Sequence, residues 1–296
     1  VRLSYRARRT IAAYFMILPA FILTAVFVMY PIVDSFLISF YKWDMLSVSK
    51  PFVGITNYIY IFQDPLFLQA LSNTVLYVVS FVPCVIVLGL VTALLLNQKI
   101  RFLTFFRSAM FIPYVTSLAA TGIIWQWIFN DQFGLLNYFL GLFGVSAQNW
   151  LNDPQWTLFN MVVMGVWQNL GYVTVIFLAG LQGISREYYE AAAVDGAAWW
   201  HKFRMITFPL LSPTTYFVLI LTTIDAFKVF LQVYVLYGES PGPNNSGMTL
   251  LYYMFDKGFN DYHMGYATAS AYVLFMIIFI FTLAQMTLSR RVHYEG

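Results

Sequence analysis

Four residues of one apolar stretch carry side chains suited to holding a solute without changing it. Gly165, Gln168, Asn169 and Tyr172 fall at i, i+3, i+4 and i+7, on one face of a helix. Amides both donate to and accept from hydroxyls, a tyrosine ring stacks on the apolar face of a sugar, and the glycine leaves a gap. In a later stretch Thr222 shares a face with Asp225, Ala226 and Val229, and Lys228 follows Asp225 at a spacing that lets the two pair. Gln168, Asn169, Tyr172, Thr222, Asp225 and Lys228 are therefore the candidate solute pathway. The competing reading is that the amides and the ion pair fasten helices together. Covalent chemistry is not legible: the chain has no G-x-x-x-x-G-K-S/T phosphate loop and no H-E-x-x-H, C-x-x-C or G-x-S-x-G motif. His201, His263 and His293 are scattered, and Cys84 is the single cysteine, so neither a metal centre nor an internal disulfide is expected. The chain reads as a non-enzyme with no cofactor of its own.

A second group of residues is built for contact. The stretch YYEAAAVDGAAWWHKFRMITFPLL runs from Tyr188 to Leu211. Ser185 is an N-cap, with Glu187 in the first turn where the helix dipole favours an acid. Ala191, Ala192 and Ala193 keep the helix narrow enough for another surface to approach. Asp195-Gly196 marks a sharp turn, glycine tolerating the positive φ it needs. A second helix with Trp199, Trp200 and Phe203 beside His201, Lys202 and Arg204 follows, and Pro209 ends or kinks it. The spacing predicts a helix–turn–helix knob shaped for a socket on a partner. A hairpin resting on the membrane through its tryptophans is the alternative.

The elements that position these residues follow from composition. Of 296 residues, 60% are hydrophobic, 20% aromatic and 10% charged, against roughly 25% charged in a soluble domain. Such a chain belongs in a bilayer, and its net charge of +3 is too small to suggest nucleic acid. A helix needs about 20 apolar residues to cross. Six stretches qualify: 12–40, 72–96, 103–129, 157–183, 206–237 and 265–289. The basic N-terminal run leads into a first stretch too long for a signal peptide, which reads as a retained span. Cytoplasmic loops carry the excess of Lys and Arg. Arg2, Arg6, Arg8, Arg9, Lys99, Arg101, Arg107, Arg186, Lys202, Arg204, Arg290 and Arg291 fall on one side, and only Lys42, Lys50 and Lys257 on the other. The expectation is a single all-α membrane domain over 1–296 with both termini and the 184–205 loop in the cytoplasm. Residues 134–154 are expected to hold a short amphipathic helix at the outer interface.

Glu190-Ala191-Ala192, then Gly196, then Ile206-x-Phe208-Pro209, resembles the EAA loop of binding-protein-dependent ABC importer permeases, which usually have Leu at the position of Phe208. Residues 52–74 and 233–259 are similar to outer segments of carbohydrate-type permeases, with Glu239-Ser240-Pro241 in place of the more usual Gly-Gly-Pro. The resemblance runs from about residue 11 to 291. It implies a type I ABC importer permease fold in a bacterial cytoplasmic membrane. It also implies a second homologous permease subunit, two ATPase subunits that bind ATP and dock on the loop, and an extracellular solute-binding protein. The coupling residues it implies are Glu190, Ala191, Ala192, Asp195, Gly196, Ile206 and Pro209. Glu190 is expected to pair with a base of the ATPase or of the knob. The implied solute is a sugar or oligosaccharide, with glycerol-3-phosphate or another polar solute as the alternative. A secondary transporter is the reading from another class; it would show an internal repeat and buried acids, whereas only Asp34 and Asp225 fall in expected spans.

Overall fold

A backbone in hydrocarbon must satisfy its own hydrogen bonds, which an apolar chain does as helices. In the computed structural model, which describes residues 5–47, 49–98 and 101–289, every extended regular element is helical, and the β-pairing is limited to two isolated bridges, Tyr41 with Phe52 and Asp44 with His263. Arg2, Lys99, Arg290, Arg291 and His293 of the sequence reading, and the side chain of Arg8, lie outside the described residues. The chain divides into two compact units. One holds the residues up to Asp64 with Met254–Val273; the other holds Pro65–Tyr253 and the residues from Leu274 on.

The first unit begins with α1 (Tyr5–Thr24), a π-helical turn (Ala25–Met29) and α2 (Tyr30–Ile38), followed by α3 (Thr56–Gln63). The π turn sits ahead of Pro31, whose ring crowds the carbonyl of Phe27 and which offers no N–H; the wider turn absorbs the clash. The buried Asn57 ties α3 to the chain after α2, its Nδ2 donating to the carbonyls of Ser39 (2.7 Å) and Tyr41 (3.0 Å). Tyr60 stacks on Tyr266 with ring centres 4.1 Å apart.

The second unit carries α4 (Pro65–Leu96), α5 (Leu103–Val115), α6 (Leu118–Ile128), α7 (Leu135–Leu142), α8 (Pro154–Gln182), α9 (Arg186–Val194), α10 (Trp199–Lys202), a second π turn (Phe203–Thr207), α11 (Phe208–Leu210), α12 (Ser212–Phe227) and α13 (Leu231–Leu236). Beyond them come α14 (Leu250–Phe255) and α15 (Met264–Ser289). Its core is the pairing of α4 with α8, through Phe67, Tyr77, Phe81 and Val85 on one side and Met161, Met164, Val173 and Phe177 on the other. On α8, Gly171 lets the α5 backbone come into contact, since a Cβ there would collide with the carbonyl of Met110. Asp153 starts α8 by accepting from the N–H of Gln155 (3.0 Å). Helix α7 falls within the expected 134–154 segment and is anchored by the buried Asn137. Its carboxamide accepts from Trp150 Nε1 (2.7 Å) and the N–H of Gln148 (3.1 Å), and donates to the carbonyls of Asp131 and Gln148.

Four stretches are long and apolar enough to cross a membrane singly: Arg9–Ile38, Pro65–Leu96, Pro154–Gln182 and Met264–Thr287. Two bent pairs raise the count to six if each is one span: α5 with α6, at 99°, and Trp199–Leu210 with α12, at 62°. Two expected continuous helices are thus broken. Over 103–129 the backbone turns extended at Thr116 and Ser117, just after Pro113 has withdrawn its N–H from the carbonyl of Ala109. Over 206–237 the helix stops at Phe227, and α13 starts afresh after Phe230. There the Thr249 hydroxyl donates to the carbonyl of Val229 (2.7 Å), so the freed backbone is satisfied by a segment that returns from later in the chain.

Candidate functional site

The break after α5 and the end of α12 open a cavity of about 560 Å³ in the second unit. Gln168, Asn169 and Tyr172 of α8 and Thr222 and Asp225 of α12 line it, so the structure brings together five of the six predicted pathway residues. Lys228 is not in the lining. It closes the end of α12, and its Nζ lies 2.9 Å from Asp225, both side chains exposed, so the predicted pair forms at the helix end and not within a span.

Each side chain is held differently. Gln168 is only 7% exposed, and its Oε1 has no hydrogen-bond partner among the described residues. Asn169 donates from Nδ2 to the carbonyl of Gly165 (2.9 Å), which fixes its rotamer and leaves its oxygen unclaimed. Tyr172 stacks on Tyr114 of α5, with centres 4.6 Å apart and planes 8° from parallel. Thr222 donates to the carbonyl of Val218 (2.7 Å), one turn back. The expected gap at Gly165 is not a gap. Tyr77 and Phe81 of α4, stacked on one another at 5.2 Å, occupy it, and a Cβ on Gly165 would strike the Tyr77 hydroxyl.

Sequence reading missed Tyr77, Phe81, Tyr114 and Gln232, which complete the wall. Aromatic residues in apolar runs give no signal of their own; for Tyr114 the position directly after Pro113 was the available hint. The arrangement offers amides, hydroxyls and flat rings, and among its described lining residues one charge, Asp225, already countered by Lys228. It can hydrogen-bond and stack against a neutral polar molecule. His201 and His263 stay far apart, and no group of three or more metal-ligating side chains occurs among the described residues.

The contact knob forms as the spacing predicts. Ser185 caps α9, its Oγ accepting from the N–H of Glu187 (3.3 Å). The turn closes with Gly196 at φ +75°, where a side chain would meet open space but strained backbone. Glu190, Ala191, Asp195, Gly196 and Pro209 are exposed, while Ala192 and Ile206 are half-buried. Glu190 has no ion-pair partner among the described residues, so the expected partner within the knob is absent from them. The returning strand of the knob is pinned to α9 by the Tyr189 and Thr207 hydroxyls (3.0 Å apart). Trp199 and Trp200 stack on Phe203 at 5.7 and 5.5 Å, stiffening the exposed face. The second π turn lies ahead of Pro209, repeating the device seen before Pro31.

This architecture recurs in known proteins. A solved bacterial alginate ABC transporter, in complex with an alginate pentasaccharide-bound periplasmic protein, contains a chain that superposes with a TM-score of 0.87. The match covers 100% of both chains at 20% identity, a likeness of fold. In sequence, the chain is 37% identical over 287 residues to the arabinooligosaccharides transport system permease protein AraP of Bacillus subtilis (strain 168), covering 96% of this chain and 90% of that protein. It is 35% identical over 292 residues to the trehalose/maltose transport system permease protein MalF of Thermococcus litoralis, covering 98% and 96% respectively. The model of the binding-protein-dependent transport system inner membrane component matches residues 65–294, a stretch that includes the whole cavity and the whole knob. The chain therefore belongs to the inner membrane components of binding-protein-dependent transport systems, a family of transport permeases and not of enzymes.

Proposed function

We propose that the chain forms half of the translocation pathway of an ATP-driven importer for a neutral sugar, and that the knob around α9 couples it to an ATPase subunit. The observation that carries the solute reading is the cavity in which Gln168, Asn169 and the Tyr114–Tyr172 stack converge. Amides match hydroxyls because both donate and accept, and a planar aromatic pair suits the flat apolar face of a pyranose. None of the described lining residues is basic, which disfavours a phosphorylated solute. Relatives named for arabinooligosaccharide and for trehalose and maltose transport point the same way. A second permease of this kind would complete the pathway, two ATPase subunits would supply the energy, and a binding protein would deliver the sugar.

Translocation in this reading needs no covalent step. The cavity offers reversible hydrogen bonds, and closure of the ATPases on the knobs changes which side it faces. The narrow alanine face of α9 seats in the ATPase, with Glu190 free to meet a base there. Purified complex in proteoliposomes, supplied with binding protein and a panel of sugars, tests this. Asn169→Ala and Tyr172→Ala should lower uptake or shift sugar preference while basal ATPase activity and assembly persist. Uptake unchanged across the panel in both variants would remove this face from the pathway, and loss of assembly would make the amides helix fasteners.

A further inference from the structure

A second cavity, of about 520 Å³, opens along the same two helices that wall the first. It is lined by Gln126 of α6, Asn130 just beyond it, Asn152 ahead of α8, and Tyr237, Ser240 and Gly242 after α13. Leu118 and Gln126 mark the two cavities on α6 and lie ~12 Å apart along the helix; Gln232 and Leu236 mark them on α13, ~6 Å apart. That separation is one a run of linked sugar rings spans and a single ring does not. The seam between α6 and α13 is fixed, since Gln126 donates from Nε2 to the carbonyls of Val235 (2.7 Å) and Leu236 (3.2 Å).

The chemistry of the second cavity matches the first. Asn130 uses its Oδ1 to accept from the N–H groups of Gln132 and Phe133, at 3.0 Å each, leaving its NH₂ unengaged among the described residues. Asn152 is exposed and its side chain makes no hydrogen bond among them. Tyr237 adds a ring held by Asn160, whose Nδ2 donates to its hydroxyl (3.1 Å). No described lining residue is charged. Free amides beside a fixed aromatic ring, without charge, fit another neutral hydroxylated unit.

We infer that this cavity is a subsite for further residues of the same sugar chain, so that the solute is a neutral oligosaccharide longer than a disaccharide. One end lies between Asn169 and Tyr172 while the units that follow rest over Asn130, Asn152 and Tyr237. This rests on the sugar reading above and sharpens it to a chain length.

Site-directed protection from maleimide tests it in the full complex, with binding protein and ATPases present and trapped by vanadate. Cysteine is placed at Asn152 or at Val115, which lines the first cavity, in a Cys84→Ser background. The probes are malto- and arabino-oligosaccharides from disaccharide to hexasaccharide. Trisaccharides and longer chains should slow labelling of Asn152→Cys by about tenfold at ten times the half-protecting concentration, while disaccharides protect only Val115→Cys. Long chains that protect Val115→Cys but not Asn152→Cys would overturn the subsite and leave the sugar reading standing. Disaccharides that protect both positions equally would overturn the length requirement. Protection at neither position by any probe would overturn the sugar reading and the subsite together.

Discussion

Replacing Gln168 by methionine should move stability and transport in opposite directions. The glutamine is almost wholly buried, and its Oε1 finds no partner among the described residues. A buried acceptor left unpaired costs about 1–3 kcal/mol. Methionine has the same unbranched reach without the polar atoms, so Gln168→Met removes that cost with little change of volume. At roughly 2–4 °C per kcal/mol for a chain of this class, the midpoint of thermal unfolding should rise by about 2–6 °C. Uptake should suffer, because the same oxygen is the acceptor held ready for a sugar hydroxyl. A neutral hydrogen bond worth about 0.5–1.5 kcal/mol corresponds to a roughly threefold to tenfold loss of uptake at limiting solute. Thermal unfolding of the purified complex and sugar uptake in proteoliposomes give the two readings. A fall in melting temperature with loss of the partner permease would show that the amide fastens helices, and would refute the reasoning. So would unchanged uptake in a stabilised variant, which would place the oxygen outside the pathway.

Three further outcomes follow from particular residues. Gly196→Val forces a β-branched side chain onto φ +75°, a strain of roughly 1–3 kcal/mol at the turn that aims α9. It should uncouple ATP hydrolysis from uptake while membrane levels stay normal, and a variant that transports normally would contradict the coupling role. Glu239 adopts φ +66° in the segment where the sequence departs from Gly-Gly-Pro. Glu239→Gly should therefore stabilise the complex by up to about 1 kcal/mol, the left-handed penalty less the entropy glycine adds to the unfolded chain, and a lowered melting temperature would count against this. Orientation is open to the same labelling chemistry: with Cys84 replaced, a cysteine at Asn245 should react with impermeant maleimide on intact cells and one at His201 should not. The reverse pattern would invert the topology.

What the sequence made legible follows from what the membrane penalises. Gln168, Asn169 and Asp225 stood out because a polar group among apolar residues is costly in lipid and must face protein or water, and their helical spacing then placed them on one wall. The knob was legible for a similar reason: a glycine after Asp195 and a proline at 209 fix backbone geometry wherever they fall. Tyr77, Phe81 and Tyr114 were silent. An aromatic ring is as welcome against lipid as against a sugar, so nothing in an apolar run separates the two. The breaks in 103–129 and 206–237 were silent because apolar content registers transfer from water and not backbone satisfaction. Nothing near Val229 foretells that its carbonyl is served by Thr249, twenty residues on. Asn130 and Asn152 were silent for the opposite reason: in a loop an amide costs nothing, and only the fold, by setting both beside Tyr237, gives them a shared surface. A solute path through a membrane protein is thus readable from sequence where it crosses the apolar core. At its mouth, where polar residues are unremarked, it emerges only once the loops are placed on the helices that carry them.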